Sequence, residues 1–99
     1  MKIKINSVHF KTDKKLEQFI QDRVKKLSNL YDGVVESDVS LKLGNSEKED
    51  NKVTEIRLAI KGNDLFAKKQ SKTFEESTDM AIEALRKQLV KHKEKIKRI

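Results

Sequence analysis

Residues 73–99 read TFEESTDMAIEALRKQLVKHKEKIKRI, with no Gly or Pro to interrupt them. Thr73 followed three residues later by Glu76 is a capping box, so a helix is expected to begin there. Glu75, Glu76 and Asp79 place negative charge at the positive end of its dipole. Running to the C-terminus, such a helix has about 26 residues and a length of roughly 39 Å. Ile82, Leu85, Leu89, Ile96 and Ile99 are spaced for one narrow apolar seam, and His92 falls on the same seam. At 100° per residue, Arg86, Lys87, Lys91, Lys93, Lys95, Lys97 and Arg98 cover the remaining surface, where only Glu94 opposes their sign. A helix of this kind has one stripe to bury and a basic back. The stripe must pack against another layer, and the rest of the chain has to supply it.

Working back from Thr73, Leu65–Ser71 reads as a short strand ending in Lys68-Lys69. It is joined by a tight turn at Gly62-Asn63-Asp64 to a strand over Val53–Lys61. There Ile56, Leu58 and Ile60 alternate with Glu55, Arg57, Ala59 and Lys61, which marks a sheet with one buried face. Residues 44–52 (GNSEKEDNK) are polar throughout and read as a mobile connection. Ser37–Leu43 is a further strand, with Val39, Leu41 and Leu43 facing inward. Leu16, Phe19, Ile20, Val24, Leu27 and Leu30 recur at helical spacing, so residues 13–30 form an amphipathic helix that Thr12 or Asp13 can cap and Asp32-Gly33 ends. At the N-terminus Lys2–Asn6 alternates Ile3 and Ile5 with Lys2 and Lys4, a first strand. The order is β-α-β-β-β-α. The expectation is an α+β, dsRBD-like domain over residues 1–99, a four-stranded sheet with two helices on one face and its other face polar and open to water.

Composition bounds the function. Ninety-nine residues make one small domain, and a mean hydropathy of −0.76 with 39% charged residues is polar for a globular chain. There is no Cys, so disulfides and thiolate metal sites are excluded. No apolar run approaches the roughly 20 residues of a membrane span, and no signal-peptide core is visible. A cytoplasmic protein is expected, with no cofactor. The formal charge is +7, and its placement says more than its size. Residues 86–98 hold seven basic side chains and one acid, while the rest of the chain is almost balanced. Charge focused on one helix is an electrostatic footprint for a polyanion.

Particular residues also carry a likeness. Arg23-Val24-Lys25-Lys26-Leu27 resembles an R-x-x-K-L motif, and Glu76, Ala81-Ile82, Leu85, Leu89 and Lys91 fit an E…A-I…L…L…K/R pattern. With the element order, these residues make the chain resemble the ribosome hibernation promoting factor / ribosome-associated inhibitor A family, also called the sigma-54 modulation family. The likeness spans essentially the whole chain. It departs at Asp79, where a Tyr is usual, at Gln88, commonly basic, and at His92, commonly Gln. The sequence ends at Ile99, so the resemblance is to the short form, without the C-terminal dimerisation domain of the long form. It implies a protein, monomeric when free, that binds the small ribosomal subunit in the channel of messenger and transfer RNA. Translation in resting cells would be blocked by occupancy.

The residues themselves favour RNA over the other readings. A Lys-rich helix is most often only a solvated face, yet here few acids interleave to form i,i+4 pairs. A membrane-surface helix would need Trp or Phe on a stripe that the sheet already claims. Phe10, Phe19, Phe66, Phe74 and Tyr31 form no aromatic-rich strand motif, so recognition of backbone shape and phosphate is expected in place of base stacking. His92 on an apolar seam reads as a partly buried structural residue. No P-loop, nucleophile elbow, metal-spaced His pair or Rossmann glycine pattern is present, so neither an enzyme nor a small-molecule substrate is expected. The candidate RNA-binding residues are Arg23, Lys25, Lys26, Lys68, Lys69, Arg86, Lys87, Lys91, Lys93, Lys95, Lys97 and Arg98. The alternative is a protein-interaction adaptor that uses the open sheet face.

Overall fold

A computed structural model describes residues 1–45 and 47–97. The chain runs β1 (Lys2–Ser7), α1 (Lys14–Leu30), β2 (Val34–Leu43), β3 (Lys52–Ile60), β4 (Asn63–Ser71) and α2 (Phe74–Lys97). The expected β-α-β-β-β-α order holds. The four strands lie in the order β1-β2-β3-β4, with β1 parallel to β2 and both later pairs antiparallel. The fold is α+β, with both helices on one face of a mixed sheet.

Local chemistry fixes where the helices begin. Asp13 caps α1, its carboxylate accepting the Leu16 N–H at 2.7 Å, while Thr12 donates to Glu17 at 2.7 Å. Thr73 caps α2 by accepting the Glu76 N–H at 3.0 Å. Between β1 and α1 the chain turns through His9, a non-glycine residue at φ +66°, and Ser7 donates to the Phe10 carbonyl at 2.6 Å. That turn delivers Phe10 onto Phe74, stacked at 5.1 Å, so both helix starts share an aromatic anchor.

Ile20, Val24 and Leu27 of α1 meet Val39, Leu41, Ile56, Leu58 and Ile60 of the sheet and Ala81, Leu85 and Leu89 of α2 in one core. The seam of α2 continues upstream of the expected one, through Phe74, Ser77, Thr78 and Ala81, all buried. Small side chains there let the helix approach β3, and Thr54 of β3 shares its hydroxyl with Ser77 at 2.7 Å and Thr78 at 3.3 Å. A helix pattern searched for large apolar residues passes over Ser77, Thr78 and Ala81.

Several boundaries differ from the sequence expectation. β2 begins three residues earlier, at Val34, with a register shift between Val34 and Glu36. Ile60 pairs with Asn63, so the hairpin is the two-residue Lys61-Gly62 with Gly62 at φ +85°, and Asn63 and Asp64 already belong to β4. Leu43 has the inward parity expected of it but is 51% exposed, since it is the last residue of β2 and is left uncovered. The polar connection is tied at its base, where the Gly44 N–H donates to Asn51 at 2.7 Å and Gln70 donates to the Asp50 carbonyl at 2.5 Å. The expected roles of Arg98 and Ile99, and of the Ile96 and Lys97 side chains, lie outside the described residues. No helix among the described residues is long and apolar enough to cross a membrane.

Candidate nucleic-acid interface

Topology sets the direction of both helices. α1 returns from β1 and α2 returns from β4, and those strands point the same way, so the two helices run parallel on the sheet. Contacts between them advance in step. Arg23 of α1 pairs with Asp79 of α2, and further along Tyr31 meets His92. Parallel packing sets the C-terminal halves side by side, and those halves carry most of the cations of the expected site.

The outward surface of α2 divides by charge. Its first half exposes Glu75, Glu76, Asp79 and Glu83, and its second half exposes Arg86, Lys87, Lys91 and Lys95. The acids suit the N-terminal dipole and the cations the C-terminal one. On α1, Lys25 and Lys26 are exposed one turn before the helix ends. Among the described residues none of Lys25, Lys26, Lys87, Lys91 and Lys95 takes part in an ion pair. Their charge is therefore available to an external anion.

Other expected site residues are differently placed. Arg23 donates to Asp79 at 2.8 Å, and its guanidinium lies 4.3 Å from the Phe19 ring centroid. Arg86 makes two hydrogen bonds to Glu83, at 3.0 and 2.5 Å. That pairing holds the Glu83 carboxyl below its usual range and lifts Arg86 above its own, so both groups stay charged and offset one another. Lys93 is half-buried, as is Lys69, which faces the helix side of β4 in a shallow groove with Glu76, Asp79, Glu83 and Lys87. Lys68, its neighbour in sequence, points to the opposite face, because successive strand residues alternate. There it lies 3.6 Å from Glu55, whose carboxyl is held below the usual range chiefly by its hydrogen bond to Lys42. The helix-side cluster and Lys68 are separated by the thickness of the sheet.

Around Lys68 the open face is a lattice of opposite charges. Lys42 and Lys68 flank Glu55, and Arg57 links Asp38 to Asp64. Phe66 is its exposed aromatic ring, at 53%. The two faces thus differ in kind, one charge-balanced and one with an unpaired basic end.

His92 is half-buried on the seam, as expected, and meets Tyr31 edge-on with the hydroxyl 3.3 Å from Nε2. Gly33 permits this contact, since the Tyr31 ring folds so closely over it that an added Cβ would lie 2.4 Å from Cε2. Asp79 was visible in the sequence as a dipole partner, but its pairing with Arg23, 56 residues away, carries no local signal.

Among solved structures, the chain is similar to a ribosomal subunit interface protein from Coxiella burnetii, with a TM-score of 0.83 at 15% identity over 94% of this chain and 98% of that one. It is similar also to the N-terminal domain of Protein Y from Thermus thermophilus, with a TM-score of 0.77 at 19% identity over 89% and 94%. At these identities the likeness establishes the fold. No curated protein sequence matches the chain. The family described as sigma 54 modulation protein / S30EA ribosomal protein matches residues 3–97. By that match across nearly its whole length, the chain belongs to the sigma 54 modulation protein / S30EA ribosomal protein family.

Proposed function

We propose that this protein is a ribosome hibernation factor that binds the small ribosomal subunit in the channel of messenger and transfer RNA. It inhibits translation in resting cells by occupancy. The observation that carries this reading is a set of unpaired cations, Lys25, Lys26, Lys87, Lys91 and Lys95, exposed on the C-terminal halves of two helices that run parallel. Family membership and the fold shared with a ribosomal subunit interface protein support it. Phosphates of folded ribosomal RNA are matched by such a surface, which offers charge at fixed spacing without a base-stacking platform. Lys93, Lys97 and Arg98 extend the same basic tract toward the C-terminus. The protein acts in the cytoplasm, as one domain, monomeric when free.

An adaptor using the open sheet face is the second reading, favoured by the exposed Phe66 on a charge-balanced surface. Titration of an in vitro translation reaction tests the proposal. Inhibition by occupancy is complete near one protein per ribosome, and binding competes with transfer RNA. Inhibition at a small fraction of the ribosome concentration would point to turnover and overturn it.

A further inference from the structure

Arg23 stands apart from the other cations of the helix side. Its Nε–H is committed to Asp79 at 2.8 Å, and its guanidinium lies 4.3 Å from the Phe19 ring centroid. A phosphate approaching this group would compete with a carboxylate already in place and meet the negative field of Glu75 and Glu76 nearby on α2. The pair instead joins one residue of α1 to one of α2, just ahead of the point where Lys25 and Lys26 on one helix and Arg86 and Lys87 on the other begin the basic surface. The Tyr31–His92 contact joins the same two helices further along, so the basic halves are bracketed by a tie at each end.

We propose that Arg23 is a positioning residue and not a phosphate ligand: clamped between Phe19 and Asp79, it fixes the lateral register of α1 on α2 and so the spacing between their two rows of lysines. This rests on the proposed phosphate-binding role of those rows. A multidentate polyanion reads spacing, because contacts made together require the cations to match the phosphates without rearrangement. Asp79 supplies the acceptor that holds Arg23 in place.

The two roles give opposite signs for Asp79→Asn. If Arg23 were a phosphate ligand restrained by Asp79, freeing it would tighten ribosome binding. As a clamp, its loss weakens binding, by roughly two- to fivefold on the scale of an exposed ion pair. Binding to small subunits is measured for the parent, Arg23→Gln, Asp79→Asn and the exchange Arg23→Asp with Asp79→Arg. The temperature is set where melting curves show every variant folded, across a salt titration. The clamp predicts that both single variants weaken binding alike and that the exchange restores most of the loss. It also predicts that Arg23→Gln leaves the slope of log affinity against log salt unchanged, whereas loss of a phosphate contact makes it shallower by about 0.7–0.9. Tighter binding by Asp79→Asn, or a shallower slope for Arg23→Gln, would overturn the clamp alone. A control with Lys87, Lys91 and Lys95 all changed to Gln reports on the interface itself. If that control binds as the parent does, the phosphate surface is wrong and the clamp falls with it.

Discussion

Leu85 and Leu89 are fully buried between α2 and the sheet. Truncating either to Ala should cost roughly 2–5 kcal/mol, from lost transfer energy and the cavity left behind. A melting curve checks this, and a cost below about 1 kcal/mol would mean that the seam is misphased. Both residues were legible from helical spacing alone. The buried hydroxyls of Thr54, Ser77 and Thr78 were not, because a small polar residue in a helix or strand has no periodic signature that separates a core position from a solvated one. Ser37 carries the opposite lesson: the residue is 1% exposed and its hydroxyl has no hydrogen-bond partner among the described residues. Removing an unsatisfied buried group relieves its desolvation, so Ser37→Ala should raise stability by up to about 1 kcal/mol. A lowered melting temperature would contradict that account. Glu55 makes a pH-dependent contribution. Its folded-state pKa is depressed, chiefly by the hydrogen bond to Lys42, so its stabilisation is fully present above the unfolded value near ~4.3 and is lost as pH falls through the lower folded value. Lys42→Gln should therefore reduce the acid sensitivity of folding, read as melting temperature against pH from neutral to acid. An unchanged acid limb would show that Glu55 is not coupled to Lys42.

If its outward cations hold phosphate, α2 carries two jobs on opposite sides, and charge removal should separate them. Changing Arg86, Lys87, Lys91 and Lys95 together to Gln keeps helix-forming residues and touches no buried side chain. Each exposed substitution should alter folding by about half a kcal/mol or less, while ribosome binding weakens and its salt slope becomes shallower. Arg86 should contribute least of the four, since Glu83 already offsets its charge. An unchanged slope would reduce the basic end of α2 to a solvated face. The helix and its cap were readable because Thr73, Glu76 and an unbroken apolar period agree. The hairpin and the start of β2 were misplaced by two or three residues, since Asn63 and Asp64 are turn formers that here sit in a strand. The splitting of Lys68 from Lys69 follows from strand alternation and could have been read from the sequence, once the pair was assigned to a strand.

The two faces of the protein differ in electrostatic character, one charge-balanced and one with a basic end, a distinction that composition compresses into a single formal charge of +7. On the sheet face acids and bases neutralise one another across strands. On the helix side parallel packing brings the unpaired lysines of two elements to one end, and no local pattern in the chain announces that convergence. Changing Lys4 and Lys68 to Gln on the sheet face should leave ribosome binding and its salt dependence as they are; a shallower slope would move the interface to the wrong side of the sheet. If the helix-side cations hold ribosomal RNA by its phosphates, the affinity of the unaltered protein for small ribosomal subunits must depend steeply on salt, which a salt series measures. With about five phosphate contacts, each releasing counterion, affinity should fall by about two decades or more between ~50 and ~200 mM salt. An affinity that stays flat over that range would contradict the phosphate mechanism and leave the open sheet face as the binding surface.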